Sequence, residues 1–332
     1  MYQRFQMHSV RIVVILSCGE HRRRIARMTV EVEQQAIVTA TFSRRMTVQL
    51  VHDSTVGARI KGKRLQPVCG DRVIVHRIPN ESDWLITEIL SRDNELTRPD
   101  NRGQAEVLAA NVTFLCAVVS DPPQPDWFIV DRYLCAAELM HVPAAVVFNK
   151  SDLVADRAMR LRELAEFERV GYPAVLCSAA SGENMEALQE LLRGRTAIVV
   201  GQSGVGKSSL INRLIGDAGQ RVADLSSASG EGKHTTVNSV MLRLPGGGTV
   251  IDSPGVRDYA PATANAADVL VGFREIADAG QSCHFANCQH LREPKCAVKD
   301  AVASGGISER RYESYRRLMN LSRRLSDKRA GS

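Results

Sequence analysis

The chain has 332 residues and a formal net charge of +6, and 44% of its residues are hydrophobic while 24% are charged. This length predicts two or three domains, and the composition is typical of globular proteins with a buried core rather than of disordered chains. No uninterrupted run of about 18 apolar residues occurs, so the sequence predicts no membrane span and no membrane partner.

The two ends of the chain are basic. Residues 1–28 carry six Arg and one Glu, and residues 307–332 carry eight Lys or Arg and three acidic residues. The net charge is therefore +5 at each end and −4 between them. Such ends favour contact with a polyanion, most often nucleic acid, although a solvated helix face would carry the same charges.

The N-terminal extension, residues 1–34, contains a short apolar run, Val10–Leu16, and most of its arginines come after that run. A signal peptide has its basic residues first and a small-residue cleavage site afterwards, so this pattern is not typical of one. An equally consistent interpretation is that translation starts at Met28. We expect the extension to be basic and disordered.

Residues 35–98 show short runs of β-forming residues between turn formers such as Pro67 and Gly70. The predicted strands are Ala36–Phe42, Met46–Val51, Val73–Arg77 and Trp84–Ile89. Several short strands at this spacing indicate a small all-β barrel or sandwich. A basic loop lies at Arg59–Arg64. An OB-type barrel would present such a loop to an oligonucleotide, whereas a merely solvated hairpin would bind nothing.

Residues 105–262 alternate between apolar runs and amphipathic segments, which indicates a mainly parallel sheet covered by helices on both faces. The predicted strands are Val112–Val119, Ala144–Phe148, Ala174–Cys177, Thr196–Val200 and Thr249–Ile251. The predicted helices are Asp126–Met140, Asp156–Arg169, Glu183–Leu192 and Lys207–Ile215. Residues 263–332 are predicted to form a third, small helical domain that ends in a basic helix.

Two short motifs in the second region fit the recognition of guanine. Asn149-Lys150-Ser151-Asp152 directly follows a predicted strand, and Ser178-Ala179 follows the next one. The Asp152 carboxylate can accept hydrogen bonds from guanine N1–H and the 2-amino group, which adenine does not offer in that arrangement. Asn149 and the stem of Lys150 would complete the base pocket, and Ser178-Ala179 would offer a backbone N–H to guanine O6. GTP is therefore the predicted ligand.

A phosphate loop follows these motifs, whereas in an unpermuted GTPase it precedes them. Its residues are Gly201, Gln202, Ser203, Gly204, Val205, Gly206, Lys207 and Ser208, with Ser209 next in the predicted helix. Glycines allow backbone N–H groups to turn towards phosphates, and the helix N-terminus adds favourable partial charge. Lys207 is expected to neutralise the β- and γ-phosphates, and Ser208 is expected to ligate Mg²⁺.

A glycine-rich segment between the phosphate loop and the next strand ends in Lys233-His234-Thr235-Thr236. Either Thr235 or Thr236 would ligate Mg²⁺ when a γ-phosphate is bound. His234 is our candidate for positioning the attacking water, since an imidazole can do so at neutral pH. The alternative is an exposed histidine with no catalytic part.

Asp252-Ser253-Pro254-Gly255 ends the last apolar strand of this region. The Asp252 carboxylate would reach the magnesium shell, and the Gly255 N–H would contact the γ-phosphate. By itself Asp-x-Pro-Gly is also an ordinary turn. Val256 stands where Ras-like enzymes have the Gln that orients the attacking water, so another group must take that role.

A cysteine and histidine cluster lies in the C-terminal region. Its members are Cys283, Cys288, His290 and Cys296, with the spacing C-x4-C-x-H-x5-C. Three thiolates and one imidazole match a closed tetrahedral zinc site, and a full ligand shell indicates a structural ion. His284 is a competing ligand, but its adjacency to Cys283 makes it the poorer choice. A redox dithiol is the alternative, although no C-x-x-C is present.

The order and identity of these motifs resemble the RsgA family of circularly permuted GTPases that depend on the small ribosomal subunit. The resemblance covers residues 35–325 and includes Glu293–Lys299 and Arg311–Tyr315. It implies a multidomain protein with an N-terminal OB-type barrel (35–98), a central permuted α/β GTPase domain (105–262) and a zinc-binding domain (263–332). It also implies that His234 takes part in hydrolysis.

The same resemblance implies a function. It implies hydrolysis of GTP to GDP and phosphate during late maturation of the small (30S) ribosomal subunit, with rRNA bound by the barrel and the zinc domain and turnover stimulated by the subunit. It implies a structural Zn²⁺ and Mg²⁺ bound with GTP. We expect a cytoplasmic monomer. The alternatives are an RNA-binding scaffold that holds GTP without turnover, and a permuted GTPase that acts on the large subunit or another ribonucleoprotein.

Overall fold

The computed structural model describes residues 11–15, 29–42, 45–62, 64–100, 104–216, 237–252 and 266–330. These residues divide into two units. The first contains residues up to Asp93 and residues 237–241, and the second contains 94–216, 242–252 and 266–330. No helix in the described ranges is long and apolar enough to span a membrane.

The first unit contains a closed β-barrel. Strand β1 (Arg11–Ile15) comes first in the chain, and the five strands of the barrel are β2 (Thr29–Phe42), β3 (Met46–Leu50), β4 (Thr55–Ile60), β5 (Arg72–Arg77) and β6 (Trp84–Ile89). Neighbouring strands are antiparallel except for β4 and β6, which are parallel, and the pairing of β2 with β5 closes the barrel. The predicted OB-type barrel is therefore confirmed.

The interior of the barrel is apolar because successive side chains of a strand point to opposite faces. Val38, Val48 and Val75 are fully buried and pack in one cluster with Ile86. Branched side chains of this kind fit a pleated, half-buried surface, which explains why the sequence pattern identified most of these strands.

Strand β4 was not among the predicted strands. Arg59, predicted to begin the basic loop Arg59–Arg64, lies within β4, and Lys63 is outside the described residues. The strand contains Gly57, where a Cβ atom would lie 2.8 Å from Oδ1 of Asp83. Because glycine weakens a strand pattern, the local sequence gave a poor signal for β4.

Part of the N-terminal extension is ordered as strands, which differs from the expectation of disorder over residues 1–34. Strand β1 is antiparallel to the first part of β2, with Arg11 opposite Glu33 and Val13 opposite Glu31. Both segments are rich in β-branched residues, which favour strands. Strand β13 (Val237–Arg243) also pairs with β2, with Val240 opposite Ala40.

The second unit is built on a parallel sheet. In spatial order its strands are β11 (Ala174–Leu176), β10 (Ala144–Asn149), β9 (Phe114–Ser120), β12 (Thr196–Gly201) and β14 (Thr249–Asp252). Every residue of β9 and β10 is buried, as expected of strands covered on both faces. The predicted α/β architecture is confirmed. The hairpin of β7 (Glu95–Pro99) and β8 (Ala105–Ala110) was not predicted.

The helices between these strands lie close to their predicted bounds. They are α1 (Trp127–Leu139), α2 (Arg157–Arg169), α3 (Met185–Leu192) and α4 (Lys207–Ile215). The Asp126 carboxylate caps α1 by accepting a hydrogen bond from Ile129 N at 3.2 Å, and that of Asp156 caps α2 by accepting one from Met159 N at 2.8 Å. Because parallel strands need such crossovers, their carboxyl ends lie at one edge of the sheet.

Four further helices form the C-terminal part of the second unit, in agreement with the predicted small helical domain. They are α5 (Ala266–Val271), α6 (Arg274–Gly280), α7 (Ala297–Ala303) and α8 (Glu309–Ala330). Val269, Phe273 and Leu318 are buried in one cluster with Cys135 of α1. A Cβ atom at Gly272 would lie 2.2 Å from Sγ of Cys135, so only glycine permits this close approach.

A buried ion pair joins α8 to α1. The Arg311 side chain is 1% exposed, and its Nη1 lies 2.7 Å from Oδ1 of Asp131, which is fully buried. Its Nε and Nη2 donate to the two carboxylate oxygens of Glu275 at 2.8 and 2.9 Å. Burial alone would lower the pKa of Arg311, but the two carboxylates raise it above its usual value. The guanidinium is therefore charged and fully compensated.

Candidate functional site

The carboxyl edge of the parallel sheet brings the predicted nucleotide motifs together. Asn149 ends β10, Ser178 follows β11, Gly201 ends β12 and Asp252 ends β14. The strand order β11-β10-β9-β12-β14 puts the base-reading motifs on one side of β9 and the phosphate motifs on the other. Open α/β sheets bind their ligands in the crevice at this edge.

Two glycines give the phosphate loop its shape. Gly201 has a φ of 148°, and a Cβ atom there would lie 2.2 Å from the carbonyl oxygen of Val118 on the neighbouring strand. Gly206 has a φ of 87°, and a Cβ atom there would lie 2.4 Å from Nδ2 of Asn149. Both positions therefore require glycine, as the motif predicted.

The remaining residues of the phosphate loop surround the start of α4. Val205 is buried, whereas Ser203, Gly204, Ser208 and Ser209 are exposed. The Lys207 ammonium donates to the carbonyl oxygens of Gly201 and Gln202 at 2.8 and 2.7 Å, so its charge lies within the loop. An exposed helix N-terminus with an ammonium group beside it is suited to bind phosphate.

Asn149 connects the base-reading motifs to the phosphate loop. Its side chain is buried, and Nδ2 donates to the carbonyl oxygen of Val205 at 2.9 Å. Its Oδ1 accepts a hydrogen bond from the backbone N–H of Ala179 at 3.1 Å. One amide side chain therefore joins three loops, using both its donor and its acceptor.

Lys150 lies across the same loops. It has a φ of 63°, and its ammonium donates to the carbonyl oxygens of Pro122 and Gly204, each at 2.7 Å. The stem of the side chain therefore runs from the base-reading motif towards the phosphate loop.

Ser178 fixes the orientation of the Asp152 carboxylate. The buried Ser178 hydroxyl donates to Oδ1 of Asp152 and accepts a hydrogen bond from the backbone N–H of Ser181 at 3.1 Å. Among the described residues, Oδ2 of Asp152 has no hydrogen-bond partner, and the side chain is exposed. The carboxylate is thus held on one side and accessible on the other.

The Ser178-Ala179 element was expected to offer a backbone N–H to guanine O6. Without a nucleotide, the N–H of Ser178 donates to the carbonyl oxygen of Glu183 at 3.1 Å, and that of Ala179 donates to Oδ1 of Asn149. Both donors are therefore used inside the protein, and they support the loops that carry Asn149 and Asp152.

Glu183 is a further residue of this site, although the sequence pattern predicted it only as part of a helix. Its Oε2 accepts a hydrogen bond from the Ser151 hydroxyl and its Oε1 accepts one from Arg157, each at 2.5 Å. These two donors, Arg157 first, lower the pKa of the Glu183 carboxyl. The residue therefore connects both base-reading motifs. Its role depends on tertiary contacts and leaves no local signal in the sequence.

Replacing Glu183 by Gln is expected to weaken GTP binding roughly fivefold, because the neutral amide holds Ser151 and Arg157 less strongly than the carboxylate does. Titration with a fluorescent GTP analogue measures this affinity. Glu186→Gln is the matched control, since Glu186 is exposed in the first turn of α3. Equal affinities of the two variants would mean that Glu183 does not position the base-reading loop.

Asp252 lies at the phosphate side of the edge. Asp252 is the last residue of β14 and pairs with Val199 of β12, and β12 leads into the phosphate loop. Burial raises the pKa of Asp252, and the nearby Lys207 opposes this rise. A carboxylate near Lys207 and the start of α4 is suited to a hard cation such as Mg²⁺. His234, Thr235, Thr236 and Gly255 lie outside the described residues.

The cysteine and histidine cluster converges in the second unit, as predicted. The ligand atoms of Cys283, Cys288, His290 and Cys296 all lie within 4.8 Å of one another. The Sγ atoms of Cys283 and Cys296 are 3.9 Å apart, and His290 Nδ1 lies 3.4 and 3.5 Å from them. Tetrahedral zinc with ordinary bond lengths requires about 3.8 Å between sulfurs and about 3.6 Å between sulfur and nitrogen. The cluster fits zinc.

The surroundings of the cluster hold its backbone in place. The Tyr312 hydroxyl donates to the carbonyl oxygen of His290 at 2.7 Å. The Glu293 carboxylate accepts hydrogen bonds from the backbone N–H groups of Leu291 and Arg292 at 2.9 and 3.0 Å. Such contacts orient the metal ligands. The His284 ring packs edge-on against Phe285, and it does not belong to the cluster.

Comparisons with known proteins agree with this arrangement. Residues 89–261 match the family model described as RsgA GTPase. The chain is 40% identical over 293 residues to the small ribosomal subunit biogenesis GTPase RsgA of Pseudomonas fluorescens Pf-5, over 86% of this chain and 85% of the relative. The protein of the same name from Azotobacter vinelandii has the same identity and coverage.

Two solved structures have a similar fold. YjeQ from Thermotoga maritima has a TM-score of 0.67 and 31% identity, covering 88% of this chain and 99% of that chain. YloQ, described as a circularly permuted GTPase, has a TM-score of 0.66 and 24% identity, covering 88% and 95%, and this likeness shows the fold alone. The chain therefore belongs to the RsgA GTPase family and is a GTP-hydrolysing enzyme whose base-reading motifs precede its phosphate loop.

Proposed function

We propose that this enzyme hydrolyses GTP during late maturation of the small ribosomal subunit. The observation that carries the proposal is the 40% identity, over 86% of the chain, to relatives named as small ribosomal subunit biogenesis GTPases. The net charge of +5 over residues 307–332 supports contact with rRNA. A barrel of the OB type, a fold that binds oligonucleotides, supports a second rRNA contact.

GTP would lie across the carboxyl edge of the parallel sheet. Asp152 would accept hydrogen bonds from the guanine base, while Asn149 and Lys150 would form the walls of the pocket. Residues 201–208 would surround the phosphates, and Lys207 would turn from the loop carbonyl oxygens to the β- and γ-phosphates. The reorientation exchanges neutral acceptors for anionic ones, which bind an ammonium more strongly.

Magnesium would bind beside the γ-phosphate. Ser208 and one of Thr235 or Thr236 would supply oxygen ligands, and Asp252 would act in the magnesium shell. The ion would neutralise charge that develops on the phosphate oxygens. His234 would position the attacking water, and the Gly255 N–H would contact the γ-phosphate. Val256 cannot replace the missing Gln, because its side chain has no polar atom.

Zinc would occupy the cluster of Cys283, Cys288, His290 and Cys296. Four protein ligands leave no open position for a substrate, so the ion would be structural. In keeping with an assembly factor that works on ribosomal subunits in the bacterial cytoplasm, we assign the protein to that compartment. We also assign it a monomeric state, with GTP, GDP and the small subunit as its partners.

The test is GTP turnover measured with small subunits, large subunits and free rRNA. Small subunits are expected to stimulate phosphate release far more than the other two, and Ser208→Ala is expected to lose the magnesium-dependent turnover. Equal effects of large and small subunits would favour action on another ribonucleoprotein. GTP binding without turnover under every condition would favour the scaffold. Either result would overturn the proposal.

A further inference from the structure

A cleft of about 490 Å³ lies between α8 and the loop that leads into α1. Gln124 and the first two residues of α1, Trp127 and Phe128, form one side. Arg310 and Arg317, seven residues apart on α8, form the other. Residues at this spacing lie on the same face of a helix. We call this feature the α8 cleft. None of the nucleotide or metal motifs lines it.

Arg317 has donors available for a ligand. Its guanidinium lies over the Phe128 ring, 4.1 Å from the ring centroid. Among the described residues it has no ion-pair partner, and the side chain is exposed. Glu313, another lining residue, is already paired with Arg316 at 2.9 Å. The charge of Arg317 is therefore uncompensated at the mouth of the cleft.

Arg310, on the same wall of the cleft as Arg317, is held in place and has one nitrogen unused. Its Nη1 and Nε are paired with Asp131 and Glu166 at 3.0 and 3.1 Å. Its Nη2 is buried without a hydrogen-bond partner in the described structure. The guanidinium lies 5.8 Å from the centroid of the Trp127 ring. Because Nη2 is buried and the other two nitrogens are paired with carboxylates, Arg310 shapes this wall, and Arg317 supplies the donors that a ligand can reach.

These features together select the class of ligand. Guanidinium groups bind phosphate oxygens, and aromatic or guanidinium planes stack on nucleobases. The α8 cleft offers a guanidinium group and aromatic rings beside the basic helix α8. We propose that it binds a nucleotide of single-stranded RNA, with the phosphate on Arg317 and the base against Trp127. The identification of that RNA as rRNA rests on the proposed function above.

The loop beside the α8 cleft also contacts the nucleotide site. The backbone N–H of Asp126 donates to Oε1 of Gln202 in the phosphate loop at 3.3 Å. The carbonyl oxygen of Pro122 accepts the hydrogen bond from Lys150 described above. RNA in the cleft would therefore lie against a loop that is bonded to both nucleotide motifs. This connection provides a physical route by which bound RNA alters GTP turnover.

Tryptophan fluorescence tests the proposal directly. The chain has two tryptophans, so Trp84→Phe leaves Trp127 as the only one. Binding of a single-stranded RNA of about ten nucleotides should quench Trp127 in this background, because a stacked base quenches indole fluorescence. Arg317→Gln should weaken the affinity about tenfold. Arg324→Gln is the matched control, with the same charge change one heptad further along α8, and it should weaken binding only about twofold.

The possible results separate the α8 cleft from the proposed function. The proposal that the α8 cleft binds RNA would be overturned if Trp127 is not quenched at saturating RNA. Equal losses of RNA affinity in the two arginine variants would also overturn it. Gln124 is exposed and lines the cleft. Gln124→Glu should also weaken RNA binding, because it adds negative charge beside the phosphate. Loss of small-subunit binding in Arg317→Gln with unchanged RNA affinity would identify a protein ligand and overturn the RNA proposal. Subunit-stimulated turnover of the unmodified enzyme is measured in parallel and reports on the proposed function alone.

Discussion

Removal of the metal from the cysteine and histidine cluster is expected to unfold the chain between α6 and α7. Residues 281–296 contain no helix or strand. Of these residues, Cys296 and His290 are buried, and both are predicted metal ligands. The segment therefore adds little to the apolar core, and the metal–ligand bonds supply much of what holds it folded. Zinc binding to comparable small peptides contributes about 10–16 kcal/mol to folding, which is more than such a segment gains from packing.

Hydrogen exchange before and after chelation measures this effect. Amides of residues 281–296 should lose their protection, while those of the parallel sheet should keep theirs. His290→Asn should behave like the chelated protein, and His284→Asn, the control, should behave like the unmodified one because His284 lies outside the cluster. Exchange that is indifferent to zinc removal would contradict the structural role and favour a redox dithiol.

Asp152→Asn is expected to convert a protein that prefers GTP into one that prefers xanthosine triphosphate. The carboxylate can accept two hydrogen bonds from guanine, whereas an amide has one acceptor and one donor group. Xanthine has a carbonyl oxygen in place of the 2-amino group and can accept from that donor. The ratio of the two affinities should change by about 10⁴-fold, as in sites that leave a polar group unpaired with the wrong ligand.

Competition between the two nucleotides, measured by displacement of a fluorescent analogue, gives the ratio. Glu168→Gln is the control, because Glu168 is an exposed acidic residue near the end of α2 and loses the same charge. An unchanged ratio in Asp152→Asn would show that another residue reads the base. Since Ser178 donates to Asp152, Ser178→Ala should lower the preference for GTP in the same direction.

The parallel sheet and the phosphate loop could be predicted because their signals are local. Strand β9 reads as a continuous apolar run since both of its faces are buried. The phosphate loop carries its glycines where the backbone has positive φ, so the residue types follow from the backbone shape. The metal ligands were identified for a similar reason: their spacing in the sequence reflects the coordination of a single ion.

The features that escaped prediction depend on contacts between distant residues. Glu183 binds Ser151, which is 32 residues away in the chain. Arg311 binds Asp131, which is 180 residues away. Neither pairing leaves a periodic pattern in the sequence. Strand β4 was missed because Gly57 interrupts its β-forming residues, and its place is fixed by pairing with β3 and β6.

The buried ion pair between Arg311 and Asp131 has a consequence for the modularity of this protein. The C-terminal part of the second unit has its own metal cluster, and it resembles an appendage that could be exchanged between relatives. A donor helix without an arginine at position 311 would leave Glu275 without its cation and Asp131 with Arg310 alone, at a cost of about 3–5 kcal/mol. A functional chimera must therefore transfer Asp131, Glu275 and Arg311 together. In this respect α8 evolves, and must be engineered, as part of the GTPase core.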